Sequence, residues 1–354
     1  MTTAKMKFAI DDGSTNVKIS WIKDEKVHCV TSPNSFRKDW KSAALLSGKK
    51  IFNYQIGSTK YTFDATSDRA LSTTHVAYQY DDLNLLSVHH ALLQTGIKPC
   101  PVSILVTLPI TEYYNADDCQ KNEANIERKK ANLLRDISLN KGELFEIVDV
   151  EVLPESLPAV LTTLVDSGIN AFTKSLVIDV GGTTLDMGVI VGEFDDVSSV
   201  YGNATIGVSM VTDAARKALA AADSDASYLV ANELIKNRHN REFACEVIND
   251  LTKVDWVLER IEHKIEELGN AIAYEAKTFM RNPNRVYLVG GGATLIEAAV
   301  HEAYPSLGEK IVLLDQPQEA LSREICCYHA AESHAAESHA DESDDTNTDN
   351  SAAA

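Results

Sequence analysis

The chain has 354 residues, of which 44% are hydrophobic and 24% are charged, as in an ordinary globular protein of about two domains. Its formal net charge is −19, which argues against binding nucleic acid or an anionic membrane through the overall field. No signal-peptide core or long apolar run is present, and the six cysteines form no C-x-x-C pair or zinc-ligand spacing. Collagen, disulfide-scaffold, membrane and secreted classes are therefore excluded, and reduced thiols in a cytoplasm are expected.

Strand and helix patterns alternate through the first half of the chain. β-branched or fully apolar runs between turn-rich links indicate strands, and helical apolar spacing between acidic starts and glycine stops indicates helices. In chain order the patterns predict strand–turn–strand over 7–22, short strands within 24–80, a helix over 81–96, a buried strand over 102–109, a helix over 122–137, a strand over 145–155 and a helix over 156–168. The patchy stretch 24–80 suggests a small inserted subdomain.

A second unit starts near Lys174. The patterns predict strand–turn–strand over 175–192, a strand end, glycine loop and helix over 201–222, a helix over 251–280, and a buried strand, glycine turn and helix over 285–300. Apolar residues of the long helix are spaced alternately three and four apart, at Leu251, Val254, Leu258, Ile261, Ile265, Leu268 and Ile272. This seam is compatible with a coiled coil, but it lasts only about three heptads, so a helix facing the domain core is favoured.

The C-terminal segment, residues 329–354, has a different composition. It carries seven acidic residues and no Lys or Arg, and it repeats AESHA at 331–335 and 336–340. A five-residue period fits neither helix nor strand, and too little apolar surface is present to offset ordering entropy, so disorder is expected. A metal-binding tract is the alternative, but histidines spaced five apart do not share a helical face.

Two segments share one pattern that carries chemistry: FAIDDGSTNVKI at 8–19 and LVIDVGGTTLDMGVI at 176–190. Each predicts a β-hairpin with an acidic residue, Asp11 or Asp179, at the entrance to a Gly/Ser/Thr turn. A turn without bulky side chains lets backbone amides approach phosphate oxygens, and the Asp can hold Mg²⁺ through waters. Either turn alone is weak evidence, because similar turns close many ordinary hairpins.

A third turn strengthens the prediction. GGGAT, from Gly290 to Thr294, follows a buried strand and opens a helix, a geometry that admits a ribose and base against bare backbone. No G-x-x-x-x-G-K-[ST] loop is present, so the site is not a Walker A site. The three turns together predict a polyphosphate clamped between two domains.

The order of these parts resembles the actin/sugar kinase/Hsp70 superfamily, and a set of longer segments is similar to the plasmid-segregation actins, the ParM/StbA family. These segments are IDDGSTNVK, SPNSF (32–36), VHHALLQTG (88–96), TLPITEYY (107–114), NIERKKAN (125–132), LPES (153–156), IDVGGTTLD (178–186), GVSMVT (207–212) and VGGGATLI (289–296). They extend from residue 8 to residue 300, so the resemblance covers nearly the whole body of the chain.

The resemblance implies an α/β, actin-like two-domain fold, with duplicated ribonuclease-H-like domains around a nucleotide cleft. It implies a first domain over 1–172 and 310–328, with the small subdomain inserted at about 33–95, then a second domain over 173–309. The tail, 329–354, would lie outside this fold. In function it implies a cytoplasmic ATPase, using ATP or GTP with Mg²⁺, that assembles head-to-tail into filaments destabilised by hydrolysis. A DNA-bound adaptor at a centromere-like site would attach plasmids, so the chain itself would contact neither DNA nor membrane.

Site residues follow from the same matching. Asp11 and Asp179 would surround Mg²⁺, and Asp179 would also take part in catalysis with Glu155. The nucleotide-binding residues would be Asp12, Gly13, Ser14, Thr15, Asn16, Lys18, Gly181, Gly182, Thr183, Gly290, Gly291 and Gly292. Asp186 would either support these residues without contacting the nucleotide or be an ordinary acidic residue beside the turn.

For two of these residues, an ordinary structural role is the alternative to a role in the site. Lys18 could reach phosphate oxygens as a point charge or be a solvated strand lysine. Glu155, where the family places its hydrolytic acid, could polarise the attacking water or merely complement a helix dipole.

The chain departs from the family pattern near its last helix, and alternative functions remain to be weighed. Arg323 and Glu324 stand where relatives usually carry a small glycine-containing step, which leaves the packing of the last helix on the first domain undecided. A small-molecule, sugar-type kinase of the same superfamily is the alternative function, although no acceptor-hydroxyl base or zinc cluster of that class is evident. A chaperone is disfavoured, because the short tail cannot form a substrate-binding domain.

Overall fold

The computed structural model describes residues 6–42 and 50–331, apart from positions 66, 68, 74 and 116. The strands are β1 Met6–Asp11, β2 Asn16–Lys23, β3 Lys26–Pro33, β4 Phe36–Lys38, β5 Asn53–Ile56, β6 Thr59–Phe63, β7 Pro101–Leu108, β8 Ser138–Leu139, β9 Glu146–Pro154, β10 Lys174–Val180, β11 Leu185–Val191, β12 Asp196–Asn203, β13 Arg285–Val289 and β14 Ile311–Leu313.

The helices are α1 Asp82–Gln94, α2 Ile110–Tyr113, α3 Glu123–Leu133, α4 Leu161–Asp166, α5 Ser209–Ala221, α6 Tyr228–Lys236, α7 Arg241–Val247, α8 Val254–Phe279, α9 Ala293–Ala303 and α10, residues 320–331. Short 3₁₀ helices cover Val76–Tyr80, Leu157–Val160, Leu251–Lys253 and Gly308–Lys310. Among the described residues no helix is long and apolar enough to cross a membrane. All six cysteines are free thiols.

The two halves of the chain form sheets of the same topology. The first sheet has the order β3-β2-β1-β7-β9 and the second the order β12-β11-β10-β13-β14. In each sheet an antiparallel hairpin is extended by parallel strands, β1 with β7 and β9, and β10 with β13 and β14. Parallel neighbours need crossover connections, which bring helices onto the sheet faces. The duplication predicted from the two hairpins is therefore present in the fold.

The two sheets are joined by a shared core. Each has its own buried cluster, and a third cluster draws residues from both halves of the chain. In that third cluster Ala9 and Leu105 of the first sheet pack with Val177 and Tyr287 of the second. The strand ends that carry the two hairpins are thus held together by buried apolar contacts.

The long helix α8 faces the core of the second half, as favoured from the sequence. Val257, Ile261, Leu268 and Ile272 are fully buried, and α8 packs against α5 and α9. Leu251, the first residue of the predicted seam, is 61% exposed and precedes the helix in a 3₁₀ turn. The apolar face is therefore used within the domain.

The end of the body differs from the prediction. The second domain was predicted to end at residue 309, but β14 at Ile311–Leu313 pairs with β13 of the second sheet. Helix α10 covers residues 320–331, so its last three residues fall within the predicted tail, 329–354. A three-residue strand is too short to show a period in the sequence, so β14 could not be recognised from its residues. Residues 332–354 of the predicted tail lie outside the described residues.

Helix α10 packs on the first half of the chain through polar contacts. The hydroxyls of Ser20 and Ser322 share a buried hydrogen bond of 2.9 Å. The Glu324 carboxylate accepts hydrogen bonds from the backbone N–H and hydroxyl of Thr162, at 3.1 and 2.5 Å. Glu324, which departs from the family pattern, is therefore used to attach this helix to α4.

The small sheet β4-β6-β5-β8 corresponds to the predicted insertion, with three differences. Strand β8 comes from far downstream in the chain. Helix α1 falls inside the predicted insertion at 33–95, but it packs against β2 and β3 and its apolar residues belong to the core of the first sheet. Strand β3 likewise completes the first sheet. The alternating strand patterns could not separate the two sheets, because pairing partners are a tertiary property.

Candidate functional site

The first hairpin turn is braced from inside its domain. Strand β1 ends at Asp11 and β2 begins at Asn16, so the turn spans the residues between them. The side-chain amide of Asn34 donates to the carbonyls of Gly13 and Ser14, at 2.8 and 2.9 Å. The backbone N–H of Asn34 donates to the carbonyl of Thr15 at 3.0 Å. The conformation of the turn is thus set by contacts behind it.

The second hairpin turn is closed by its own backbone and tied to helix α5. The N–H of Gly181 donates to the carbonyl of Thr184 at 2.8 Å. The carbonyls of Gly181 and Gly182 accept from the N–H groups of Val208 and Ser209, at 3.1 and 2.7 Å. Because α5 begins at Ser209, these hydrogen bonds attach the start of this helix to the turn.

The two turns meet each other across the interface between the sheets. The hydroxyls of Ser14 and Thr183 share a hydrogen bond of 3.1 Å. A Cβ atom added at Gly182 would lie 2.5 Å from Cγ2 of Thr15, so only glycine permits this approach. Hydroxyls and glycine backbone from both halves of the chain therefore converge at one place, as a phosphate clamp requires.

Four carboxylates, those of Asp11, Glu155, Asp179 and Asp186, lie around the meeting point of the hairpins, and the pKa is raised for the last three. Burial, followed by the charge of Asp11, raises the pKa of Asp179 to about 6. Burial, followed by Asp179, raises the pKa of Asp186 to about 7. Burial and the neighbouring acids, Asp186 first, raise the pKa of Glu155 well above its usual range. The site therefore holds more negative charge than its surroundings solvate.

Lys18 lies within this acidic group rather than in solvent. Its Nζ atom is 2.8 Å from Oδ2 of Asp11, and its side chain is 15% exposed. Burial alone would lower the pKa of Lys18, but Asp11, with Asp179 and Glu155, outweighs it and raises that pKa. The alternative of a solvated strand lysine is thus not what the structure shows.

The donor set fits a magnesium ion that keeps most of its water. No group of three or more His, Cys, Asp or Glu side chains that could hold a metal occurs among the described residues. Magnesium dehydrates reluctantly and uses one or two carboxylates together with phosphate oxygens. Asp11 and Asp179 are two carboxylates whose charges interact, because burial, followed by the charge of Asp11, raises the pKa of Asp179.

The third turn is pressed against the end of β10, beside Asp179. Gly290 has a φ of 85°, and a Cβ there would collide with the carboxylate of Asp179. The N–H of Gly292 donates to the carbonyl of Val180 at 2.9 Å, and a Cβ on Gly292 would lie 2.5 Å from Cγ1 of Val180. The glycines are therefore required by close backbone approach, which places this turn next to the two hairpins. Gly291 lies beside them with the side chain of Gln318 nearby.

Glu155 stands where β9 ends, on a strained turn. Its N–H donates to the carbonyl of Leu108 at 2.7 Å. The next residue, Ser156, has a φ of 72°, which is uncommon for a residue with a Cβ. The 3₁₀ helix Leu157–Val160 follows, so Glu155 precedes a tight turn rather than the first turn of an α-helix. Its half-buried carboxylate belongs to the acidic group around the hairpins.

Two family models cover the chain. The model described as plasmid segregation protein ParM, N-terminal, matches residues 6–166, and that described as plasmid segregation protein ParM, C-terminal, matches residues 169–328. The chain belongs to the ParM family of plasmid segregation proteins. A search of curated protein sequences gives no match. The family predicted from the sequence is confirmed.

Solved structures confirm the actin-like fold of this ParM family member. The archaeal actin homologue Ta0583 in complex with ADP is 18% identical, with a TM-score of 0.65 over 92% of this chain and 99% of that chain. A ParM from Clostridium botulinum, solved as a 15-stranded filament, is 16% identical, with a TM-score of 0.66 over 92% and 99%. The actin-like protein Alp7A is 13% identical, with a TM-score of 0.71 over 95% and 99%. At these identities the similarity establishes the fold alone.

One predicted site residue of this ParM family member lies elsewhere. Asp12 was predicted to bind nucleotide, but its side chain is fully buried in the first domain. Its carboxylate accepts from Asn84 Nδ2 at 2.6 Å, from the N–H of Thr107 at 3.0 Å and from Nζ of Lys129. Asp11 ends strand β1 and Asp12 follows it, and the two carboxylates have different partners, Lys18 for Asp11 and Lys129 for Asp12. The sequence does not say which of the two aspartates faces inward.

The remaining predicted residues of the hairpins are gathered at the site, and Asn16 contacts Thr15 Oγ1 at 3.4 Å. Three buried or half-buried residues near them were missed: Asn34, Gln79 and Lys129. Asn34 and Lys129 fall in the segments SPNSF and NIERKKAN that carry the family resemblance, which is the only signal that could have drawn attention to them. Gln79 lies in a 3₁₀ turn between aromatic residues, where no periodic pattern exists.

Proposed function

We propose that the chain is an actin-like nucleoside triphosphatase that polymerises with bound nucleotide and segregates low-copy plasmids through a DNA-bound adaptor. Hydrolysis destabilises the filament in this proposal. The observation that carries it is the direct meeting of two equivalent hairpins, Ser14 to Thr183, beside a group of buried carboxylates. Further support comes from the relatives: Ta0583 was solved with ADP, and the Clostridium botulinum ParM and Alp12 were solved as filaments.

The chain's own residues divide the work of hydrolysis. Hydroxyls of Ser14 and Thr183, with the glycine backbone of both turns, would bind and orient phosphate oxygens. Lys18, held by Asp11, supplies positive charge at the first turn. Glu155 would accept a proton from the attacking water, help that is worth roughly 10²–10⁴-fold in rate. Magnesium, when bound by Asp11 and Asp179, would neutralise phosphate charge.

A non-closing, head-to-tail contact between identical subunits must give a filament rather than a ring. The first test is therefore light scattering together with phosphate release, with ATP and GTP in separate samples over a range of protein concentrations. We expect nucleotide-triggered scattering above a threshold concentration, and electron microscopy with a non-hydrolysable triphosphate should show filaments. Hydrolysis stimulated by a sugar, with no polymer at any concentration, would instead identify the sugar-type kinase.

The second test addresses Glu155 itself. Glu155→Ala should leave nucleotide binding and assembly intact while phosphate release slows by roughly 10²–10⁴-fold. Filaments of this variant should consequently persist after assembly. Glu146→Ala, at the exposed start of the same strand β9, is the matched control and should behave as wild type. Wild-type turnover in Glu155→Ala would remove Glu155 from the mechanism.

Adaptor attachment needs a separate measurement. The adaptor, rather than this chain, is expected to contact DNA, because the chain carries a net charge of −19. Purified protein should not retard centromere-like DNA at physiological salt, whereas the mixture with the adaptor should. Direct, sequence-specific retardation by the chain alone would contradict the proposed division of labour.

A further inference from the structure

Gln79 occupies an unusual position between a buried ion pair and Glu155. It lies in the 3₁₀ helix Val76–Tyr80 and is only 3% exposed. Its Oε1 atom accepts a hydrogen bond from Nζ of Lys129. Its Nε2 atom donates to Oε1 of Glu155 at 3.5 Å. One buried side-chain amide therefore joins a fully buried lysine to the carboxylate proposed for hydrolysis.

The orientation of this amide is decided by chemistry. A lysine ammonium has three donors and no acceptor, so only the carbonyl oxygen of Gln79 can face Lys129. The NH₂ group must then face Glu155, whose carboxylate only accepts when it is ionised. The amide thus cannot flip without placing two donors together at one end.

Lys129 is itself held firmly, so it can fix Gln79. It is fully buried and forms an ion pair with Asp12, whose side chain is also fully buried. Asp12 is held in turn by Asn84 of α1 and by Thr107 of β7. The chain of contacts therefore reaches from helix α1 and strand β7, through helix α3, to the end of strand β9.

We propose that Gln79 is a positioning residue for Glu155, held in place by Lys129 and Asp12, which rests on the proposed hydrolytic role of Glu155. Its NH₂ group holds Oε1 of Glu155 and leaves Oε2 to engage water. At 3.5 Å the contact is at the outer limit of hydrogen-bond length. Catalytic hydrogen bonds that are long without substrate shorten when the substrate complex forms. Because the amide is neutral, it orients the Glu155 carboxylate without placing a positive charge beside Oε2, the oxygen that accepts the proton.

The buried ion pair also gives a reason for a second aspartate, Asp12, directly after Asp11: its side chain pairs with Lys129 instead of joining the acidic group around the hairpins. Asp12 belongs to the first phosphate turn by its backbone, while its side chain anchors Lys129. The turn and the group that orients Glu155 therefore share one rigid support. A displacement of the first hairpin would be transmitted to Glu155 through Asp12, Lys129 and Gln79.

The test uses Gln79→Met, which keeps the length of the side chain and removes the amide. We expect nucleotide affinity to stay within about twofold of wild type and single-turnover phosphate release to fall about 10- to 100-fold, because small displacements of a catalytic group cost rate rather than binding. Gln79→Asn, which retracts the amide by one methylene, should show a similar loss and serves if the methionine variant does not fold. Gln94→Met, which removes an amide bonded to His90 at the far end of α1, is the control.

A double-mutant cycle separates positioning from a general structural effect. If Gln79 acts through Glu155, Gln79→Met should slow phosphate release in the wild type and leave Glu155→Ala no slower than before. A further loss in the Glu155→Ala background, or a parallel loss of nucleotide affinity, would overturn the inference. Wild-type turnover in Gln79→Met would also overturn it while leaving the proposed function intact. Absence of hydrolysis in the unmodified protein would instead refute the proposed function and, with it, the role of Gln79.

Discussion

Replacing Lys129 by methionine isolates the energetic weight of the buried ion pair. Both side chains of the pair are 0% exposed, and Asp12 has no other cation in contact among the described residues. Lys129→Met fills a similar volume but leaves the Asp12 carboxylate buried with only the Asn84 and Thr107 donors. Removal of one partner from a buried pair costs about 3–5 kcal/mol, because the other charge stays desolvated.

That cost is large enough to measure by thermal unfolding. For a domain of about 160 residues, 1 kcal/mol corresponds to roughly 2–4 °C, so Lys129→Met should lower Tm by roughly 6–20 °C. Far-ultraviolet circular dichroism of the protein without nucleotide, at pH 7.5 and with a chelator present, is the assay. Lys130→Met removes the neighbouring lysine, whose exposed pair with Glu127 should contribute less than about 1 kcal/mol.

The double variant makes the prediction refutable. Asp12→Asn combined with Lys129→Met removes both charges, so it should recover at least about 2 kcal/mol relative to Lys129→Met alone. If Lys129→Met melts within about 2 °C of wild type, the pair is not the buried interaction that its geometry indicates. A double variant that melts as low as the single one would show that the loss comes from packing and not from an unpaired charge.

Of three further predictions, two concern contacts that join the two halves and one concerns the buried acid Asp186. Gly182→Ala should weaken nucleotide affinity at least tenfold, since its Cβ would lie 2.5 Å from Thr15, and Thr15→Ala in the same chain should restore part of it in a binding titration. The raised pKa of Asp186, about 7, means that the folded protein binds a proton more tightly than the unfolded chain, so stability should fall as pH rises from about 4 through 7. With chelator and no nucleotide, Asp186→Asn should remove that part of the slope of Tm against pH, and an unchanged slope would contradict the assignment. Ser322→Ala should cost about 1–2 kcal/mol by leaving Ser20 buried without its partner, and an unchanged urea midpoint would show that α10 does not need this bond.

Much of the fold could be predicted from local patterns. The two hairpins were recognisable because each combines a buried strand, an acid and a turn of Gly, Ser and Thr, and such turns have few conformational solutions. The long helix α8 was recognisable from its apolar spacing, and its burial followed the core-facing interpretation. Boundaries were less accurate: β14 is only three residues long, and α1 was assigned to the insertion although it packs on the first sheet.

The residues of the candidate site also fall into those that could be predicted from the sequence and those that could not. Gly182 and Gly290 could be singled out from the sequence, since close approach and positive φ require glycine and glycine is conspicuous. The burial of Asp12 against Lys129 could not be predicted, because two successive aspartates at a strand end look alike until their tertiary partners are known. Lys129 and Gln79 carry no local mark of burial, since lysine and glutamine are ordinarily exposed residues.

By itself, the amino-acid sequence determined the class of the protein, the duplication of its β-hairpins and the family to which it belongs. Those properties depend on residue types that are close together along the chain. Only the tertiary structure decided which carboxylates share a site, that Lys18 is neutralised by Asp11, and that Lys129 is buried against Asp12. Asp12 and Lys129 are 117 positions apart in the chain, so the charges that matter are set by packing rather than by neighbours in sequence.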